Sequence, residues 1–275
     1  MLRRRVTVIQ PARGWRALGL REVWEYRELL FFIAWRDVKV RYKQTALGAA
    51  WAVLQPLLLM LVFSVFLGHL AKVPSNGVPY PVFSFAALVP WTLFAQSLVG
   101  SSESLVVNSN LISKIYFPRL IMPVAACGAF LLDFFISLLL LGGLLAAYGV
   151  SPGAAVATLP LFFALAVATA LAVGILLSAV NVRYRDVHYA VPFLVQIWLF
   201  LSPVAYSTQL VPHAYRLIYA LNPMVGVIDG FRWALLGQGS FPGGVILVSG
   251  SVTLVTLLAG LLYFKQTERT FADVI

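Results

Sequence analysis

FFISLLLLGGLLAAYGVSPGAAVATLPLFFALAVATALAVGILLSAVNV, residues 134–182, contains no Asp, Glu, Lys or Arg; the nearest charges are Asp133 and Arg183. One helix of that length would rise far beyond a ~30 Å hydrocarbon core at about 1.5 Å per residue. The segment YGVSPG at 148–153 divides it, since Pro152-Gly153 is a common turn signal. The reading that results is two apolar helices joined by a short turn, each near the ~20 residues that one bilayer crossing needs.

Comparable stretches recur outward from this pair, at residues 46–70, 78–100, 120–147, 158–180, 190–211 and 243–264. The chain is 61% hydrophobic and 11% charged, whereas soluble domains carry about a quarter charged residues. We therefore expect an all-α integral membrane protein with six transmembrane helices. It would form one membrane domain, 46–264, between cytoplasmic segments 1–45 and 265–275. On this threading, of the 20 Lys and Arg only Lys72, Arg216 and Arg232 fall outside, a bias that orients multi-span proteins and puts both termini in the cytoplasm. Arg3, Arg4, Arg5, Arg13 and Arg16 precede no apolar core of the kind a cleavable signal peptide has. The net charge of +10 does not suggest nucleic acid, because the cations flank spans and suit anionic lipid headgroups instead. Cys127 is the single cysteine, set in an apolar stretch, and can form no internal disulfide.

Three segments between or before the spans have their own pattern. Ahead of span one, Leu20, Val23, Trp24, Leu30, Phe31, Ala34, Trp35 and Val38 follow a helical period, with Arg21, Glu22, Glu25, Glu28 and Asp37 on much of the opposite arc. That predicts an amphipathic helix on the cytoplasmic membrane surface. Residues 101–117 begin with Ser101-Ser102-Glu103 as a helix start, pass through a short amphipathic turn, and end at Phe117-Pro118. A short helix there can transmit a push from a soluble partner to two spans at once. Residues 212–239 are apolar yet carry His213, Arg216, Asp229 and Arg232, and Asn222-Pro223 breaks them near the middle. They read as two short helices, either a re-entrant outer hairpin or an interfacial loop.

Candidate chemistry is sparse. Asp133 is the one charge within a span, a proton relay or ligand contact in one reading and a structural acid bonded to a neighbouring helix in the favoured other. His69, His188 and His213 fall at opposite membrane boundaries, so no metal site is expected. No G-x-x-x-x-G-K-[ST] or G-x-S-x-G motif occurs, so the chain itself is not expected to hydrolyse ATP and needs no cofactor. Aromatic residues cluster near span ends, where they anchor helices; a subset offers flat faces to sugar rings along a passage. Candidates for channel and gate are Trp51, Phe63, Phe66, Trp198, Tyr206, Tyr215, Tyr219, Phe231 and Trp233.

WEYRELLFFIAWRDVKVRYKQTALGAAWAVLQPLL at 24–58, KIYFPRL at 114–120, NVRYRDV at 181–187 and LNPMVGVIDGFRWALLG at 221–237 together resemble the permease subunits of ABC-2 type polysaccharide exporters. The likeness is nearest to O-antigen exporters, with capsule and teichoic acid exporters related. The resemblance implies a homodimer in the bacterial inner membrane, each subunit paired with a separate ATPase that binds ATP and Mg. The implied cargo is an undecaprenyl-diphosphate-linked glycan. It makes 23–36 the interface helix, 213–236 the outer gate and 101–117 the coupling helix, with Ser101, Ser102, Glu103, Asn108, Lys114, Tyr116 and Phe117 as coupling residues. Arg36, Lys39, Arg41 and Lys43, clustered before span one, are candidates for the lipid diphosphate; general inner-leaflet anchoring is the competing role. A drug or lipid permease, a membrane enzyme acting on lipid-linked sugars, and a passive channel are the rival classes.

Overall fold

Pro79 and Pro81 open the longest helix of the protein, α4 (Tyr80–Val107), because proline suits the first helical turn, where its missing N–H leaves no bond unmade. The computed structural model describes residues 20–43, 48–237, 241–268 and 271. Expectations resting on Arg3, Arg4, Arg5, Arg13, Arg16 and Arg269, on the first residues of span one, and on the end of the 212–239 segment lie outside them. The described residues are all-helical, without strands. Before α4 come α1 (Leu20–Glu25), α2 (Arg27–Lys43) and α3 (Gly48–Phe63), the last continued by a π-helical stretch, Ser64–Leu70. After it follow α5 (Ser109–Lys114), α6 (Ile121–Ala129), α7 (Leu131–Ala147), α8 (Leu159–Arg183), α9 (Val187–Phe200), α10 (Arg216–Tyr219), α11 (Pro223–Leu236) and α12 (Gly243–Thr267).

α4 is the centre of the bundle. α3, α6, α7, α8, α9 and α11 all pack on it, and 78% of its most apolar stretch is buried, against 11% for α3 and 22% for α12. Backbones approach closely where side chains are absent: a Cβ on Gly174 would lie 2.7 Å from Ser101 Cβ, and one on Gly230 2.3 Å from a Phe162 ring carbon. Most buried polar side chains inside the bundle are paired, as in Thr169 Oγ1 to Thr253 Oγ1 at 3.0 Å and Asn181 Nδ2 donating to Ser102 O at 2.9 Å, with Ser97 Oγ the exception among the described residues.

Among the described residues, five helical segments are long and apolar enough to cross a membrane: Ala50–Leu70, Tyr80–Val107, Ile121–Ala147, Ala154–Arg183 and Gly243–Thr267. The expected span at 190–211 is not one helix. α9 stops at Phe200 after 14 residues, about 21 Å at 1.5 Å per residue and short of a ~30 Å core. Ser202-Pro203 explains the stop, since the residue before proline is pushed away from helical geometry, and the freed carbonyls beyond it are taken by Arg232.

The bundle ends are stitched by separate sets of contacts. At one end His188 Nδ1 lies 3.1 Å from Glu103 Oε1, Arg119 donates to the Glu268 carbonyl, and Lys265 Nζ sits 2.8 Å from Glu268 Oε2. At the other, Asn76 Nδ2 donates to Ser207 Oγ at 3.1 Å and the Tyr80 hydroxyl to Ala205 O at 2.5 Å. Lys114, Arg119, Arg183, Arg185 and Lys265 belong to the first end and Lys72, Arg216 and Arg232 to the second, so the cation asymmetry of the sequence maps onto the two ends of the fold.

Candidate functional site

At the cation-rich end, α2 has two apolar sides rather than one. Ile33 is buried against α6 and its neighbours and Val38 is buried as well, whereas Phe31, Phe32 and Trp35 face outward, as does Trp24 of α1 at 71% exposure. Outward aromatic rings of this kind suit the headgroup zone of a bilayer. The C-terminal turn of α2 reaches the membrane domain: Arg41 Nη1 is 2.9 Å from Asp133 Oδ2, the Tyr42 hydroxyl donates to Asp133 Oδ1, and the Arg41 guanidinium lies 3.9 Å above the Phe130 ring. Burial first, and then the bond to Asp133, pushes the Tyr42 phenol above its ordinary value, which keeps its proton available for donation. Asp133 is thus the structural acid bonded to a neighbouring helix. Its partners lie 91 and 92 positions away, so helical spacing in the sequence gave no sign of them.

The four candidate diphosphate cations separate. Arg36 is engaged by Asp37 Oδ1 at 2.7 Å and Asn108 Oδ1 at 2.8 Å, and Arg41 by Asp133. Lys39 lies over the Trp35 ring at 5.7 Å. Lys39 and Lys43 share with Arg36, Phe32, Trp35 and Val40 a notch of about 410 Å³ on the outer side of α2. The second cavity nearby, about 350 Å³, lies between Arg41 and Asp133 on one side and Trp51, Gln55 and Gln96 on the other.

The coupling segment differs from its expected form. Ser101-Ser102-Glu103 starts no helix; α4 runs through it to Val107. The serine hydroxyls are satisfied inside the bundle, Ser102 to Val99 O and Ser104 to Ser101 O at 2.7 Å each, and Ser101 to Pro123 O at 2.8 Å, so nothing remains to cap a new helix start. Ser101 and Ser102 are buried and beyond the reach of a docked partner. Phe117 is buried as well. The surface left is Val107, α5 with Lys114, Ile115, and Tyr116 at 90% exposure. Asn108 is the hinge between α4 and α5, bonding Ser104 O through its own Nδ2.

α3 and α9 both lie on α4 and both leave their outer faces bare: Trp51, Leu58, Leu61 and Phe66 on the first, and Tyr189, Phe193, Leu194 and Phe200 on the second, are exposed. Of the nine aromatic channel and gate candidates, Trp51, Phe66 and Tyr215 are exposed. Phe63 and Phe231 are core residues and line no passage; Phe231 meets Phe134 edge-on at 6.1 Å. Trp198 is partly buried, its Nε1 donating to Asn222 Oδ1 at 2.9 Å. Tyr206 and Tyr219 are joined hydroxyl to hydroxyl at 2.8 Å, and Trp233 packs edge-on to Phe241 at 4.9 Å.

At the second end, α11 is buried along nearly its whole length, so residues 223–236 are no loose interfacial loop, whereas Tyr215, Leu217 and Ile218 ahead of them are exposed. Asn222 caps α11 by accepting from Met224 N at 3.1 Å. Arg232 is the residue that composition undervalued. Nε donates to Phe83 O at 3.3 Å, Nη1 to Pro203 O at 2.6 Å and Tyr206 O at 2.9 Å, and Nη2 to Val204 O at 2.7 Å, with the guanidinium 3.6 Å above the Phe83 ring. Burial lowers its pKa to about 10, which still leaves it charged at neutral pH. Asp229, one turn earlier, accepts from Thr208 Oγ1 at 2.8 Å and is pushed up to about 6 by burial. The i, i+3 spacing of Asp229 and Arg232 on an apolar helix was the available signal. No cluster of His, Cys, Asp and Glu able to hold a metal occurs among the described residues.

A bundle with five crossing-length apolar helices among the described residues is that of a multi-pass membrane protein. The chain belongs to the ABC-2 type transporter family, which matches residues 28–236, and that family works with a separate ATPase. It is 32% identical over 260 residues to the O-antigen export system permease protein RfbA of Myxococcus xanthus, covering 93% of this chain and 98% of the relative. A Klebsiella pneumoniae O-antigen export system permease protein RfbA is 28% identical over 90% and 95% of the two chains. The polysialic acid transport protein KpsM of Escherichia coli is 24% identical over 85% and 91%.

Proposed function

We propose that this chain is the membrane subunit of an ATP-driven exporter that moves an undecaprenyl-diphosphate-linked polysaccharide, O-antigen in the favoured reading, across the bacterial inner membrane. The observation that carries the proposal is similarity along most of the chain to permeases named for O-antigen export and polysialic acid transport. The geometry is consistent with it. Two copies meeting through the bare α3 and α9 faces would enclose a path with Trp51 and Phe66 at its wall, and stacking on flat aromatic faces suits sugar rings without fixing a charge. Two ATPase subunits would hold ATP and Mg.

In this reading α9 and the turn after it complete a sixth crossing, both termini are cytoplasmic, and α10 with α11 forms a re-entrant outer gate. ATPase closure would push on Lys114, Ile115 and Tyr116. Because α5 hangs directly from α4, the push would reach the helix on which α3, α9 and α11 all rest. Lys39 and Lys43, rather than Arg36 and Arg41, are the cations we assign to the lipid diphosphate, since clustered ammonium groups match phosphate oxygens.

Deleting the gene and examining surface glycan tests the cargo: loss of O-antigen is expected, and loss of capsule instead would select the second glycan class. Copurification with an ATPase whose activity rises with glycolipid tests the assembly. Intact surface glycan together with an ATPase indifferent to glycolipid would overturn the proposal.

A further inference from the structure

The second end of the bundle carries a cavity of about 580 Å³ whose walls include no residue of α3 or α9, so it is separate from the bare face. Its volume is that of a small-molecule site. The walls combine two kinds of surface. Asn76, Thr208, Gln209 and Asp229 supply hydrogen-bonding groups, and Trp233 and Phe241 supply an edge-packed aromatic corner.

The two arginines at this cavity are committed to the protein itself, and His213 is the third basic side chain in its wall. Arg232 donates to four backbone carbonyls, and Arg216 donates through Nε to Val211 O at 3.0 Å and through Nη2 to Gln209 O at 3.1 Å. They brace the walls. Asp229 is the contrary case: Oδ1 accepts from Thr208 at 2.8 Å, while Oδ2 makes no hydrogen bond among the described residues. A phosphate entering here would meet a carboxylate and no guanidinium aimed at it, which leaves His213 as its one basic partner. A polyol would find an acceptor, amides that both donate and accept, and aromatic faces for its C–H side.

We infer that this cavity is a binding site for a neutral sugar segment of the transported glycan, gripping the chain outside the membrane path. The inference rests on the proposed export function. Ring hydroxyls donate to Asp229 Oδ2, and the apolar face of the ring lies against Trp233 and Phe241. The walls are braced before the sugar arrives, which lowers the ordering cost of binding.

The test uses the purified protein in nanodiscs and, as probe, the lipid-free glycan released by mild acid from the cells that make it, with affinity read by saturation-transfer NMR titration. Asp229→Asn and Phe241→Ala should each weaken binding about tenfold, the loss of one charge-assisted bond or one stacking face. Phe241 is 55% exposed, so Phe241→Ala is expected to fold, and its unfolding midpoint checks this. Glycerol phosphate, a lipid-headgroup probe, should not compete. Binding untouched by both variants, loss on Trp51→Ala with no loss on either, or competition by glycerol phosphate would overturn the inference. If gene deletion abolishes surface glycan while the cavity variants bind normally, this inference fails and the export function stands. If deletion leaves surface glycan intact, the export function itself fails.

Discussion

Replacing Arg232 by Gln removes a buried cation from a position where it accounts for the conformation of a whole turn. The guanidinium bonds four carbonyls, those of Phe83, Pro203, Val204 and Tyr206, and covers the Phe83 ring. Each buried carbonyl left without a donor costs about 1–3 kcal/mol. Relaxation and the donors that Gln retains recover part of that, so a net loss of about 3–5 kcal/mol is expected, the range found when one partner of a buried charge network is removed. Against a total stability of about 5–15 kcal/mol this is a large fraction. For a chain of this size it corresponds to a fall of about 10 °C in unfolding midpoint. The assay is thermal unfolding of the purified protein in detergent, run beside surface-glycan export in cells. Arg232→Lys should recover little of the loss, because one ammonium cannot reach carbonyls spread over the planar fork. A midpoint for Arg232→Gln within 2 °C of wild type, against the ~10 °C expected, would refute the view that this side chain holds the 203–206 turn in place.

Tyr116→Asp should abolish copurification with the ATPase partner in pull-down while leaving the unfolding midpoint unchanged, since the side chain is 90% exposed; Ser101→Asp should instead prevent folding, as it buries a charge in α4. For Arg41 and Asp133, a double-mutant cycle read by thermal unfolding should give a coupling of about 1 kcal/mol, moderated because the Arg41 side chain is 33% exposed. Asp229 is surrounded by Arg232, Arg216, Tyr219 and Thr208. Its folded pKa of about 6 lies above the ordinary 3.8, so the folded protein binds the extra proton. Stability is greatest with that proton on and declines as pH rises from about 4 to 6, then levels off. Asp229→Asn should flatten this step in unfolding midpoints measured across that window.

Much of the fold was legible because the membrane imposes its own rule: a crossing helix must satisfy its backbone internally and stay apolar over a fixed length. Four of the five crossing-length segments both begin and end within a few residues of the hydropathy boundaries, and the turn at Pro152-Gly153 separates α7 from α8 as its composition suggests. The extent of α4 was misjudged because Ser101-Ser102-Glu103 looks like a helix start. Whether a serine caps a helix or bonds back to an earlier carbonyl depends on what lies beside it, here Pro123 of α6. The aromatic candidates divided for the same reason. Phe63 and Phe66 are three residues apart on one span, yet one is core and the other bare.

By itself the sequence determined a helical membrane protein, the asymmetry of its two ends and the family to which it belongs, since hydropathy, charge count and motif order are properties of the linear chain. Only the tertiary structure decided that Asp133 belongs to Arg41 and Tyr42, that Arg232 holds the broken end of α9, and that α3 and α9 both leave their outer faces bare. Those outcomes depend on which groups far apart in sequence come within about 3 Å, the reach of a hydrogen bond, and local periodicity carries no information about that distance.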